Sequence, residues 1–176
     1  DLTKAVELDS SLEHAWNSRA YVYRLKGEYD KADNDYTRAI EIAPDYAWAY
    51  NNRGWVSRLK GEYEKAIADF SYAIKIDANL AQAYNGRGVV YYLESQYSEA
   101  IGDFTKSVEI DPDYTWAYKN RGWVWCLNGE YDKAVADYTK AIDITPDDSK
   151  SYNNRGIAHY LKEEYDEAIA DYTKAI

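Results

Sequence analysis

The chain has 176 residues, 46% hydrophobic and 30% charged, enough apolar material to exclude disorder from weak hydrophobicity. Its 21 Lys and Arg against 31 Asp and Glu give a net charge of −10, which argues against a nucleic-acid surface and against general attraction to anionic membranes. The single cysteine, Cys126, excludes an internal disulfide, and the longest apolar runs, Val89–Leu93 and Trp123–Leu127, fall far short of the roughly 20 residues needed for membrane insertion.

No basic start followed by an apolar core marks a signal peptide, so a soluble chain is expected, in the cytoplasm before other compartments. With no methionine at all, the sequence reads as a fragment or a processed product. Residues 1–12 read as the tail of a repeat, because the opening Asp-Leu-Thr-Lys-Ala-Val echoes Asp-Tyr-Thr-Lys-Ala-Ile at 171–176. The dipeptide Arg-Gly then recurs at Arg53, Arg87, Arg121 and Arg155 in steps of 34 residues, and Arg19-Ala20 is the same site one step earlier. A frame opening at Glu13 divides the chain into 13–46, 47–80, 81–114, 115–148 and a short copy at 149–176, forming one continuous domain.

Each copy is expected to hold two amphipathic helices. In the first copy Pro44 sits just past the second helix, where a proline stops it. In the second, Tyr50, Gly54 and Val56–Leu59 lie on one helix, Lys60-Gly61-Glu62 turns the chain, and a second helix follows. That helix carries Tyr63, Ala66, Ile67, Phe70, Ala73 and Ile74 at three- and four-residue spacing, an apolar stripe. Pro112 and Pro146 close the second helices of the third and fourth copies. No segment has the period-two alternation of a strand, so the fold class is an all-α solenoid.

These residues resemble a known family. Trp16, Tyr23, Gly27, Ala32, Tyr36, Ala39 and Pro44 are similar to the tetratricopeptide repeat signature, and Tyr50, Gly54, Gly61, Ala66, Phe70 and Ala73 repeat it. The resemblance covers the whole chain and implies a right-handed superhelix of helix-turn-helix repeats. Ala20 replaces the tight-packing Gly of the first copy, and Ala78 the proline of the second. Ser95 and Glu163 replace turn glycines, at little cost if those turns avoid a left-handed backbone. Gly54, Gly88, Gly122 and Gly156 are expected to let helices approach closely.

Every copy carries an Arg (19, 53, 87, 121, 155) and an Asp (35, 69, 103, 137, 171). The Arg stands where the family usually has leucine, so a structural pairing is favoured over anion capture, either within a copy or with the preceding one.

By resemblance, first helices line a concave groove. Its columns hold His14, Asn17, Tyr21 and Arg24, then Trp48, Asn51, Trp55 and Arg58, then Gln82, Asn85, Val89 and Tyr92. Trp116, Lys119, Trp123 and Cys126 follow, then Lys150, Asn153, Ile157 and Tyr160. These positions include no Asp or Glu and four of the 6 tryptophans, a composition suited to an extended peptide. Packing of the tryptophans against the neighbouring copy is the competing account. Asn52, Asn120 and Asn154 resemble the asparagine ladder of the O-GlcNAc transferase repeats, interrupted at Ser18 and Gly86. The clamp that other members use on chaperone C-terminal tails needs a set of lysines and an arginine that no register supplies.

An enzyme is not expected. His14 and His159 lie four copies apart, Cys126 has no histidine in its copy, and no cluster has metal-ligand or cofactor spacing. The functional expectation is therefore a protein or peptide binding module without cofactors. Its alternative is a scaffold that self-associates head to tail, because residues 165–176 would present an apolar face and both ends share one register. Sugar binding on the Trp faces has only Asn51 and Asn85 in its favour.

Overall fold

The computed structural model describes residues 12–176, so the tail expected over 1–12 lies outside the described residues except for Leu12. The chain divides into two compact units, Asp1–Val90 and Tyr91–Ile176. The first holds α1 (Glu13–Leu25), α2 (Tyr29–Ile42), α3 (Ala47–Lys60), α4 (Tyr63–Ile76) and most of α5 (Ala81–Leu93). The second holds α6 (Tyr97–Ile110), α7 (Thr115–Leu127), α8 (Tyr131–Ile144), α9 (Ser149–Leu161) and α10 (Tyr165–Lys174). Among the described residues there is no strand, and helix-turn-helix pairs repeat. In the first unit α1 packs on α2, α2 on α3 and α3 on α4; in the second α6 to α10 pack each on the next.

The turns inside the pairs share one hydrogen-bond pattern. The backbone N–H of Glu28, Glu62, Gln96, Glu130 and Glu164 donates to the carbonyl five residues back, at 2.8–2.9 Å. This closure requires a left-handed residue just before each donor. Gly27, Gly61 and Gly129 meet it with φ of 75–78°. Ser95 and Glu163 adopt it too, with φ of 61° and 64°, so these turns do not avoid the left-handed backbone. Each therefore carries a strain of about 1 kcal/mol that glycine would not. The second helices α2, α6 and α8 end two residues before Pro44, Pro112 and Pro146.

Small residues bring the helices together. Ala20, Ala32, Ala66, Ala100 and Ala134 are fully buried, as are Tyr36, Phe70, Phe104 and Tyr138 beside them. A methyl group at Gly54, Gly122 or Gly156 would stand 3.0, 3.1 or 2.8 Å from the ring of Phe70, Tyr138 or Tyr172 in its own pair. The tightest approach lies elsewhere: at Gly86 a methyl would meet Phe70 at 2.3 Å. Phe70 is thus pressed by a glycine of its own pair and by one on the next helix, α5. At this position, where other copies carry asparagine, the Phe70 ring leaves no room for a side chain.

Four of the pairs are bolted by an arginine. Arg19, Arg53, Arg121 and Arg155 donate through Nε and Nη2 to both carboxylate oxygens of Asp35, Asp69, Asp137 and Asp171, at 2.6–2.9 Å. The third arm turns the other way. Nη1 of Arg53, Arg87, Arg121 and Arg155 donates to the hydroxyl of Thr37, Ser71, Thr105 and Thr139 on the preceding pair, at 3.0–3.1 Å. Of the alternatives left open by the sequence, these arginines pair with the Asp of their own copy, 16 residues ahead, while the preceding pair supplies a hydroxyl 16 residues behind. Burial works against the charge of Arg53 and Arg121, but the hydrogen bonds to the paired carboxylates and the attraction of nearby negative charge together outweigh it and hold both above the ordinary range.

Two stability measurements follow from this packing. Gly86→Ala should lose about 1–3 kcal/mol in urea titration through overpacking against Phe70, whereas Gly102→Ala on α6, where a methyl meets nothing within 4 Å, should gain up to about 1 kcal/mol. Arg121→Met should cost about 3 kcal/mol by stranding Asp137, and Arg121→Met/Asp137→Leu should recover at least a third of that loss.

Candidate functional site

The first helices of the pairs carry the expected binding columns, and the structure sorts them by access. In the unit Asp1–Val90, Trp48 is 43% exposed and Tyr21 45% exposed. Trp55, seven residues on from Trp48, is half-buried and meets the Phe70 ring edge-on at 5.5 Å between centroids. The two tryptophans therefore divide the labour, one facing solvent and one packed inward. Asn51 and Asn85 are buried at 2% exposure, with the Asn51 Nδ2 donating to Asn52 at 3.3 Å. Asn52 in turn donates to Asn17 across α1 and α3 at 3.1 Å. The amides at 17 and 52 thus tie neighbouring helices together.

Two cations complete this unit's face. The Arg24 guanidinium lies 4.8 Å from the Tyr21 ring and that of Arg58 lies 5.0 Å from Trp55. The Nε of each is buried without a hydrogen-bond partner. Burial, with the neighbouring Arg24 charge adding to it, pushes the Arg58 pKa below its ordinary value.

In the unit Tyr91–Ile176 the corresponding face is built differently. Trp116 is 56% exposed, with the Lys119 ammonium 4.2 Å from its ring. Lys119 also donates to Asp148 at 2.8 Å, and Asp148 accepts from Ser151 at 2.6 Å. An open cavity beside Trp116 is lined by Thr115, Lys119, Thr145, Asp147 and Asp148. Carboxylates from the α8–α9 connection therefore reach this face, although its own columns contain none. Trp123 is half-buried and donates through Nε1 to the Tyr92 hydroxyl at 3.1 Å. Asn153 and Tyr160 are exposed on α9, the latter ring 6.0 Å from Tyr165.

Among the described residues, no group of three His, Cys, Asp or Glu side chains is placed to hold a metal ion, and no helix is long and apolar enough to cross a membrane. His159 lies 2.6 Å from Glu164 and closes the last turn between paired helices. Cys126 is buried, which pushes its thiol up to about 11.

Family profiles described as tetratricopeptide repeat match residues 11–79 and 81–114, and one described as TPR repeat matches 126–163. No curated protein sequence matches the chain. Among solved structures it is similar to MamA, at 27% identity and TM-score 0.78 over 89% of this chain and 91% of that one. It is similar to YrrB, described as a TPR protein with an unusual peptide-binding site, at 23% identity and TM-score 0.72 over 99% and 90% of the two chains. Pseudomonas aeruginosa pilF shares the fold at TM-score 0.87 and 20% identity, over 95% and 76%.

The buried thiol can be checked directly. A folded-state pKa raised by two units from 9.0 leaves Cys126 protonated at pH 8, so iodoacetamide should label it about a hundredfold more slowly than in urea, read by mass spectrometry.

Proposed function

The chain belongs to the tetratricopeptide repeat family, whose members serve as protein–protein interaction modules, and from that premise we propose that the first-helix face of each of its two units binds an extended peptide or protein segment. The observation that carries this reading is the exposure of Trp48 and Trp116, at 43% and 56%, each at the start of a first helix. A large ring held open to water gains by being covered, and tryptophan is the residue most enriched among those that dominate binding energy. The face therefore offers apolar platforms for a segment's side chains, and at Trp116 the Lys119 ammonium lies 4.2 Å from the ring. YrrB, with its own unusual peptide-binding site, supports the reading at the level of fold. Trp55 and Trp123 contribute by fixing the helices from which the exposed rings project.

A second reading, head-to-tail association, is favoured by α10. Tyr165 and Ile169 on it are 53% and 63% exposed. The Thr173 hydroxyl bonds its own helix at Ile169, whereas Thr37, Ser71, Thr105 and Thr139 each receive an arginine.

Selection of a displayed random-peptide library on the immobilised chain tests both. Selected peptides should bind the wild type and lose at least tenfold, about 1.4 kcal/mol, on Trp48→Ala/Trp116→Ala. Both rings are exposed, so circular dichroism should be unchanged. Equal binding by the variant would move the site off this face. Concentration-dependent sedimentation without peptide selection would transfer the assignment to self-association.

A further inference from the structure

The arginines of the described residues have two fates. Arg19, Arg53, Arg121 and Arg155 are each locked onto a buried Asp, and Arg38 bonds the exposed Glu41 at 2.8 Å. Arg24 and Arg58 have no carboxylate partner among the described residues, and a buried Nε donor on each is idle. They occupy the same position of successive first helices, 34 residues apart, where Cys126 and Tyr160 stand in the other unit. The acids of the adjoining turns are already engaged: Glu28 by Lys31, and Asp30 and Glu62 by Lys60.

The pair is also preorganised. Each guanidinium lies over the ring three residues before it, Tyr21 or Trp55. Seven residues before Arg24, Asn17 is bonded to Asn52, fixing α1 against α3. Burial and the neighbouring Arg24 charge oppose the charge of Arg58, whose pKa is lowered. In a chain carrying −10, two like charges kept together and unpaired gain nothing for folding. An incoming anion on the open side of the guanidinium groups would compensate both charges.

We propose that Arg24 and Arg58 form a carboxylate-binding pair that takes two acidic side chains of an extended peptide segment lying on the first-helix face. This rests on the peptide-binding reading above and names the chemistry of its ligand. A guanidinium receives a carboxylate through two parallel N–H donors, and an aromatic ring behind it holds the plane of the fork. In an extended segment, alternate side chains point to one side about 7 Å apart, so an acidic–any–acidic sequence presents two carboxylates together. The Tyr21 ring, 4.8 Å from the Arg24 guanidinium, then serves an apolar neighbour. The pair is distinct from the chaperone-tail clamp, whose five positions include neither arginine in any register of this chain.

The test uses the intact chain and the Nε–H NMR signals of its arginines. The probe is the blocked pentapeptide Gly-Glu-Gly-Glu-Gly, with Gly-Gln-Gly-Gln-Gly and inorganic phosphate as comparisons. The Glu peptide should shift the Arg24 and Arg58 signals saturably, at least tenfold more tightly than the Gln peptide, and weaken as salt rises. Arg24→Gln/Arg58→Gln should lose at least tenfold in Glu-peptide affinity while its melting temperature does not fall, and Arg38→Gln should bind as the wild type. Equal binding of the Glu and Gln peptides, or binding by the double variant within twofold of wild type, overturns the proposal. Phosphate shifting the same signals as tightly as the peptide overturns the peptide assignment in favour of a free-anion site. Library peptides that need Trp48 and Trp116 but bind the double arginine variant normally would defeat the arginine pair alone and leave the aromatic face standing.

Discussion

The guanidinium at the centre of each helix pair is the constraint on which the packing depends. It has one donor face for the carboxylate of its own pair and a further donor for a hydroxyl of the preceding pair, at 2.7–2.9 Å and 3.0–3.1 Å for Arg53, Arg121 and Arg155 and their partners. A leucine at the same place would fill space without specifying direction. The planar fork of arginine sets both the tilt of the helices within a pair and the register of the next. Because the carboxylates are buried, each bond is strong only while its geometry is complete. A repeat that cannot bury both its faces alone thus acquires a polar key for its neighbour.

The same residue type marks the opposite condition on the exposed face. Where arginine is answered by Asp and Thr it serves folding; at Arg24 and Arg58 it is supported by aromatic rings and left without an acid. The two units differ in this respect. In the unit Tyr91–Ile176 the cation beside the exposed tryptophan, Lys119, is neutralised by Asp148. In the unit Asp1–Val90 the positive charge of the face is left unspent. Positive charge without an acidic partner therefore concentrates on the first unit, and the second carries an exposed aromatic ring with an acidic rim.

Much of the fold was legible because it is written in residue size and spacing. Alanine and aromatic columns at three- and four-residue intervals define the buried stripe, and the prolines stop the helices where a missing N–H demands it. The turn strain at Ser95 and Glu163 was not legible, because side-chain identity does not reveal φ where a repeat's hydrogen-bond closure imposes it. Gly86 was visible only as a gap in an asparagine run; its reason, the pressed ring of Phe70, belongs to the approach of one helix to another. Within the candidate site, Trp48 and Trp55 share a helical face by spacing, yet one is open and the other packed on Phe70.

By itself, the sequence determined the all-helical repeat, its 34-residue period, the places where helices begin and stop, and the acid-free composition of the first-helix columns. These follow from local periodicity and backbone chemistry, which act within a few residues. Tertiary structure alone decided which arginines are paired, that Asn51 and Asn85 are interior, that Asp148 reaches Lys119, and which tryptophans meet solvent. Each of those depends on a side chain from another helix, 16 or more residues away, arriving within a few ångströms. Burial and charge compensation are properties of that meeting.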